Sequence, residues 1–408
     1  MRYLFCSLDN FGFLFSSLGI AEALRRRGHE IAFVTDLKLA GVVERAGFQR
    51  IPRGEPDGSS FLVEISGHPM DTMRQVRHVE RALERFPADV LVTQQLALGP
   101  YVVAERKALP VATVGMASYL WPHGPPPEEA EQREKLVRRY RGFYLAYALV
   151  REMLGMERRA HDIHESPLVG DLFLLRSVPE LEGNVETLPP QVHFVGDCLW
   201  EPPGPPDAEL DTWLAAARES GEPLLYVQPG RAFNKRAFWR SLVEALTGQP
   251  VRVVAAVGRM DREVEQVPEN FFVRPHVSQG AILPHARAVV SNATTTSVLG
   301  ALTHGLPLLL IPGGGGAEQP DITQRCVRVQ AGLHLEDNEA EPARLLEMVR
   351  ELLGREELRT AAARLQSTFQ RAGGHERAAH LLEELGRRRA PVWREPPSAT
   401  QTPARGET

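Results

Sequence analysis

Apolar positions in this chain fall into short continuous runs and helical stripes that alternate, and the alternation occurs twice. Tyr3-Leu4-Phe5-Cys6 is an apolar run, followed by a polar, glycine-containing turn from Ser7 to Gly12. Leu18, Ala21 and Leu24 then share one helical face, which stops at Gly28. Ile31 to Thr35 reads as the next strand. Strand, helix and strand within about 35 residues make a βαβ unit, which requires a parallel sheet covered on both faces. Further buried strands are predicted at Val90-Leu91-Val92 and Val111-Ala112-Thr113-Val114. A stretch rich in Trp, Pro and Gly runs from Tyr119 to Pro127, and a long helical stretch ends near Leu154.

Glu201-Pro202-Pro203-Gly204-Pro205-Pro206 interrupts this grammar, and then it restarts. Strand (Leu224–Val227), turn (Gln228–Arg231), helix (Phe238–Leu246) and strand (Val251–Val257) follow, with two more strands at Val289-Val290 and Leu308–Ile311. Helices near 340–353 and 375–388 complete the pattern. The fold class read from this is α/β, with two Rossmann-like, doubly wound domains facing each other across a cleft. The boundaries are 1–200, a Pro-rich linker at 201–221, 222–388, and a tail at 389–408 with few large apolar residues, read as disordered. In such folds ligands bind at the carboxyl ends of the strands.

Composition changes the picture mainly by exclusion. A net charge of −5 over 408 residues offers no chain-wide basic field for nucleic acid or an anionic membrane. Only four of the 47 basic residues are Lys, so a single Arg is weak evidence of function in this chain. No run approaches the roughly 18 apolar residues of a spanning helix. Arg25-Arg26-Arg27 follows the first apolar stretch, the reverse of a secretory signal, and Cys6, Cys198 and Cys326 fit neither a metal spacing nor a disulfide framework. A cytoplasmic protein without an integral membrane segment is expected, and oligomeric state is open.

The chain has no Gly-Lys-Ser/Thr phosphate loop, no Gly-x-Gly-x-x-Gly after the first strand and no Gly-x-Ser-x-Gly elbow. His161 and His164 lack the third ligand a zinc site needs, so they read as exposed helical histidines and no metal is expected. The informative stretch is Val273 to Leu335. Val289-Val290-Ser291 ends at Asn292-Ala293-Thr294-Thr295-Thr296-Ser297, which opens a helix. Small and hydroxyl residues there either cap the helix or offer an anion site. Gly313-Gly314-Gly315-Gly316 allows close backbone approach, and Glu318-Gln319 supplies an acceptor and an amide; a mobile surface loop is the alternative.

Val277-Ser278-Gln279, Leu283-Pro284-His285-Ala286, Val290-Ser291-Asn292, Ala301-Leu302-Thr303-His304-Gly305-Leu306-Pro307 and Glu318-Gln319 together resemble the donor signature of the family 1 glycosyltransferases. The macrolide-type bacterial branch is the most similar, and Arg27-Gly28-His29-Glu30 resembles its N-terminal half. The resemblance spans roughly residues 1–385. It implies the GT-B fold, a nucleotide diphosphate-sugar as co-substrate with no other cofactor, a small hydrophobic acceptor, and metal-independent inversion at the anomeric carbon. It places Val277 against the nucleobase, His276 stacked on it and Gln279 on base or ribose. Thr296 and Ser297 fall at the diphosphate, and Glu318 and Gln319 at the sugar hydroxyls. The family's Asp before Gln is Glu here, and the glycine loop is about two residues longer.

Departures from the family pattern are concentrated at the reacting centre. Asn292 stands where the family has a phosphate-binding His, and Gly300 where it has a ribose-binding Glu. Arg231, in the turn after Val227, is the expected cation for the diphosphate. On the acceptor side, Phe13 occupies the position of the family's general-base His and Gln94 that of its orienting Asp. Asp9 or His123 is then the candidate base, unless the acceptor arrives already ionised, as a phenol or carboxylate would. Phe13, Met116 and Trp121, with Phe11, Phe15 and Tyr119, are expected to line an apolar acceptor pocket. The main expectation is transfer of a hexose or deoxyhexose to a specialised metabolite. The alternatives are a catalytically degenerate auxiliary or binding protein and a nucleotide-sugar epimerase on the same fold.

Overall fold

The computed structural model describes residues 1–65, 67–116, 130–157, 167–183, 185–202, 204, 207–229, 235–258, 267–313 and 318–394. The first half carries strands β1 Arg2–Ser7, β2 Glu30–Thr35, β3 Gln49–Arg50, β4 Val90–Gln94, β5 Val111–Gly115, β6 Leu172–Leu175 and β7 Val192–Phe194. Its helices are α1 Phe11–Arg26, α2 Ala40–Arg45, α3 Pro69–Arg85, α4 Gly99–Lys107, α5 Ala130–Met153 and α6 Pro179–Glu182. The second half carries β8 Leu224–Gln228, β9 Arg252–Ala256, β10 Phe271–Arg274, β11 Ala288–Ser291, β12 Leu308–Leu310 and β13 Gly332–His334. Its helices are α7 Ala208–Ser220, α8 Lys235–Leu246, α9 Gln279–Ile282, α10 Thr295–Thr303 and α11 Glu318–Arg328. Three more, α12 Pro342–Gly354, α13 Glu356–Ala372 and α14 Gly374–Arg388, follow.

Both sheets are parallel and share one topology. The first runs β3-β2-β1-β4-β5-β6-β7 and the second β10-β9-β8-β11-β12-β13. In each, the strand order reverses beside the central strand, between β1 and β4 and between β8 and β11. The crevice for a ligand opens at those reversals. The strands are apolar almost throughout because parallel sheets are covered on both faces. Successive residues serve opposite cores: Leu4 and Cys6 join a cluster with residues of α3, α4 and α5, while Tyr3 and Phe5 join one with α1 and α14. In the second sheet, α8 and α12 cover one face, and α7, α10, α11 and α13 cover the other.

The C-terminal part differs from the sequence reading in two places. The domain drawn at 222–388 closes earlier in packing terms, because α14 returns to the first sheet. Ala378, Leu381, Leu382 and Leu385 are buried with Leu14, Leu18 and Leu172. The return is fixed by charge as well: Arg27 pairs with Glu376 at 2.7 Å, and His29 Nε2 lies 2.8 Å from Glu383 Oε1. Helix α1 and α14 approach so closely that a Cβ on Gly19 would sit 2.2 Å from His375 Nε2. The motif Arg27-Gly28-His29-Glu30 therefore docks the last helix, with Gly28 at φ 82° supplying the turn after α1.

Residues 389–394, read as the start of the tail, belong to the first half. Val392 is buried, its N–H donates to Asp171 O at 3.0 Å, and Arg394 N donates to Pro190 O at 2.7 Å. Six residues after α14 thus run along β6 and β7; residues 395–408 lie outside the described part. The stretch read as linker contains α7, whose Leu210 and Leu214 pack under the second sheet. Leu382→Ala should lower stability by about 2–5 kcal/mol in a denaturant titration. A loss below half a kcal/mol would mean that α14 is not part of the first half's core.

Candidate functional site

Helix α1 begins just after β1, and α10 just after β11, so both present their N-termini to the crevice. They meet there: a Cβ built on Gly12 lies 3.3 Å from Thr296 Oγ1. Each N-terminus carries unpaired N–H groups and the positive end of a helix dipole. Asn10 caps α1 by accepting from Gly12 N at 2.8 Å. Thr294 makes no side-chain cap bond on α10.

Around α10 the side chains are poised but unpaired. Asn292 is fully buried, yet neither Oδ1 nor Nδ2 has a hydrogen-bond partner. Ser297 Oγ and Thr295 Oγ1 are buried and unpaired as well. Leaving such groups unsatisfied costs about 1–3 kcal/mol each unless a ligand or water meets them. The backbone between them is also held off its comfortable range, with Ala293 at φ 60°. Thr296, half-buried, faces Gly12. The sequence singled out Asn292, Thr296 and Ser297; Thr295 is the addition.

The segment expected at the nucleobase lies on the same rim. His276 is exposed, Val277 is buried, and Gln279 opens α9 with its Nε2 donating to Gln228 Oε1 at 3.1 Å. A Cβ on Gly300 would sit 2.5 Å from Gln279 Oε1. That explains the glycine: Gln279 occupies the space a side chain at 300 would need. Glu201, which the sequence gave no reason to single out, fastens this rim to the connection between halves. It accepts from Ser278 Oγ at 2.6 Å and from the N–H groups of Gln279 and Gly280 at 3.1 Å each.

Glu318 and Gln319 form the first turn of α11, and Gln319 Oε1 is buried without a partner. Glu318 lines a cavity of about 10 Å³, room for one water, with Met116, Leu181, Glu182, Asp321, Ile322 and Arg325. Behind it Arg325 pairs with Glu182 of α6 and with Asp321 at 3.1 Å, so α11 is tied to the first half by charge.

The described members of the expected acceptor pocket belong to different apolar clusters. Phe13 packs at the edge of the cluster containing Phe61, Met73 and Tyr144, whereas Met116 belongs to the core under α10 and α11 and faces the Glu318 cavity. Asp9 does not stand free as a base either. Its Oδ1 accepts from Val63 N at 2.7 Å and its Oδ2 from Lys38 Nζ at 3.1 Å, so it pins the 61–65 segment over the sheet. Gln94 is equally engaged: it accepts from Leu8 N at 2.9 Å and donates to Ser7 Oγ, Phe13 O and Ser17 Oγ. Arg231, His123 and Trp121, like Tyr119, His161 and His164, lie outside the described residues.

One carboxyl that the sequence reading missed stands at the same strand ends. Asp71, in the first turn of α3, is fully buried; Oδ2 accepts from Gln75 Nε2 at 3.0 Å and Oδ1 has no partner. Burial, helped by the charges of Asp9 and Asp36, pushes its pKa up to about 7. Asp71, Thr72, Gln75 and His78 repeat at helical spacing on the buried face of α3, and that polar stripe was the signal available in the sequence. Among the described residues no group of three or more His, Cys, Asp or Glu is spaced to hold a metal, and no helix is long and apolar enough to cross a membrane.

Comparison with known proteins decides what this crevice belongs to. Residues 241–383 match the C-terminal domain of the erythromycin biosynthesis protein CIII-like family. The 4'-demethylrebeccamycin synthase of Lentzea aerocolonigenes is 28% identical over 405 residues, covering 90% of this chain and 95% of that protein. The chain is a glycosyltransferase of natural-product type. Its fold is that of the calicheamicin glycosyltransferase CalG4, with a TM-score of 0.73 at 24% identity over 95% of this chain and 98% of that one. The glycosyltransferase VinC, solved with dTDP, matches with a TM-score of 0.69 at 18% identity over 95% and 100% of the two chains. This glycosyltransferase thus has the GT-B fold expected from its sequence, and enzymes of its type draw on nucleotide-sugar donors.

Two measurements follow from the unpaired groups. Asn292→Leu removes two unsatisfied polar atoms, so it should raise the stability of the ligand-free glycosyltransferase by about 1 kcal/mol. Unchanged or lowered stability would mean that Asn292 is satisfied within the protein. For Asp71 the folded-state pKa lies above the unfolded one, so its cost to stability grows as pH rises from about 4 to 7. Asp71→Asn should therefore raise Tm at pH 8, and the gain should fade towards pH 4.

Proposed function

We propose that this glycosyltransferase moves a sugar from a nucleotide diphosphate-sugar to a small hydrophobic specialised-metabolite acceptor, with inversion and without a metal. The observation that carries the reading is the convergence of the α1 and α10 N-termini around buried, unpartnered Asn292, Thr295 and Ser297. That environment suits a diphosphate. A non-catalytic scaffold would have no reason to keep such groups unsatisfied.

In the proposed reaction, Val277 and Gln279 hold base and ribose on the rim beside exposed His276, with Gln279 filling the place of the family's ribose-binding Glu. Asn292, Thr295, Thr296 and Ser297 receive the diphosphate, and Glu318 with Gln319 bind sugar hydroxyls. The acceptor oxygen attacks the anomeric carbon from the face opposite the diphosphate. The carbon–oxygen bond to the diphosphate breaks, and its electron pair leaves with the nucleoside diphosphate. Negative charge grows on that leaving group, and fixed N–H dipoles stabilise it without reorganising. No cofactor beyond the nucleotide sugar takes part, and the reaction is placed in the cytoplasm, which suits three buried free cysteines.

The acceptor's proton needs less help than in the family's usual arrangement. Asp9 and Gln94 are spent on the backbone and on neighbouring side chains, and Phe13 carries no proton-accepting atom. An acceptor with an acidic nucleophile, a phenol or a carboxylate, fits a site that supplies orientation and leaving-group stabilisation.

Titration with a panel of uridine and thymidine diphosphate sugars should show thermal stabilisation by at least one, weakened about tenfold or more in Glu318→Ala and Asn292→Ala. No stabilisation by any of them would sink the donor assignment. With a series of phenols, turnover should rise with pH up to each phenol's own pKa and level off, while simple alcohols should react poorly. Phe13→Ala should raise the KM for acceptor with little effect on donor KM; a collapse of kcat alone would argue against the orienting role.

A further inference from the structure

Arg151, Arg176 and Arg325 are each nine-tenths buried or more. Arg151 holds Glu105 in a two-pronged pair at 2.8 Å, and Arg325 holds Glu182 and Asp321. Arg176 has no carboxylate partner at ion-pair distance among the described residues. Its Nε donates to Asp197 O at 3.0 Å and its Nη1 to Gly12 O at 3.2 Å, both neutral carbonyls. A guanidinium taken out of water without a counter-charge is expensive, and paired arginines elsewhere in the chain show how this fold normally avoids it. Consistently, burial lowers the Arg176 pKa, while the fields of Asp197 and Glu318 only partly oppose that.

The position makes the missing counter-charge informative. Arg176 follows β6 directly and grips the first turn of α1 at Gly12, the residue that touches Thr296 at the start of α10. It thus adds a third positive element where two helix N-termini already converge. Three such elements around unpaired Asn292, Thr295 and Ser297 require a strongly anionic occupant.

We propose that Arg176 binds the diphosphate of the nucleotide donor from the acceptor half and stabilises the charge that develops on it as it leaves. This rests on the donor assignment above and goes beyond it, since every other donor contact comes from the second half or from backbone. Nη2, which has no partner among the described residues, is the nitrogen left to meet a phosphate oxygen. A charge-assisted bond of this kind is short and strong, and it would also draw the two halves together on the donor.

The test is calorimetric titration of the full-length protein with uridine and thymidine diphosphates and with the corresponding nucleosides. Arg176→Gln should weaken the preferred diphosphate at least tenfold and leave the nucleoside unchanged, with Arg176→Lys in between. In steady state, Arg176→Gln should lower kcat as well as raise donor KM. Equal weakening of diphosphate and nucleoside, or no weakening of either, would reduce Arg176 to a strut between β6 and α1 and overturn the proposal. If the glutamine variant does not fold, the same comparison with Arg176→Lys decides, since that variant keeps the charge but loses the fork. A wild-type protein that binds neither diphosphate would instead overturn the donor assignment itself, and the role of Arg176 with it.

Discussion

Two helix N-termini cannot share a dry crevice comfortably unless something negative lies between them, and this constraint organises the whole molecule. Each sheet reverses its strand order beside its central strand, so each half offers a helix N-terminus at one place. The two halves then bring α1 and α10 tip to tip, with Gly12 small enough to allow it. Repulsion between aligned dipoles and the cost of unpaired N–H groups are tolerable in a binding site and wasteful anywhere else. Asn292, Thr295 and Ser297 add to the same cost, as does the left-handed backbone of Ala293. Stability given up at one spot, with the cores on both faces of each sheet well packed, is the usual mark of a place kept ready for a ligand.

Keeping those tips together falls to the connections between the halves. The chain crosses after β7 and again between α13 and α14, and the two crossings touch: a Cβ on Gly196 would lie 3.2 Å from Ala372 Cβ. Glu201, at the first crossing, holds the segment of Gln279, and α14, beyond the second, is locked to α1 by Arg27, His29 and their glutamate partners. Arg325 adds a strut from α11 to α6. The residues proposed to hold base and sugar are therefore each tied, within one or two contacts, to the half that would hold the acceptor. Donor and acceptor geometry are set by the same few buried bonds.

On the acceptor side, the substitutions at the family's base and orienting positions are built into the fold. Gln94 joins the first strand's turn to α1: its Oε1 accepts from Leu8 N, and its Nε2 donates to Phe13 O, a bond a carboxylate, lacking N–H donors, could not make. Phe13 above it contributes its carbonyl to that network and its ring to an apolar cluster. The two residues thus fix the crevice wall together.

Much of this was legible in the residues. Runs of four or five apolar residues alternating with helical stripes give two parallel sheets, because that pattern buries strands on both faces and helices on one. By local chemistry the polar turn after β11 was either a cap or an anion site, and only the family resemblance assigned it and the acid–amide pair at 318–319 to the donor. What pattern could not show was partnership. Asp9 and Asp71 are both acids near strand ends, yet one is spent on Lys38 and Val63 N while the other is buried with a free oxygen. Arg176 is one arginine among dozens until its burial without a carboxylate sets it apart. The last helix looks like the end of the second domain in sequence, yet it packs on the first. Local pattern decides which elements form, since it depends on residues a few positions apart. Burial and pairing depend on residues tens to hundreds of positions away, so only the tertiary structure decided which polar groups were left waiting for a ligand.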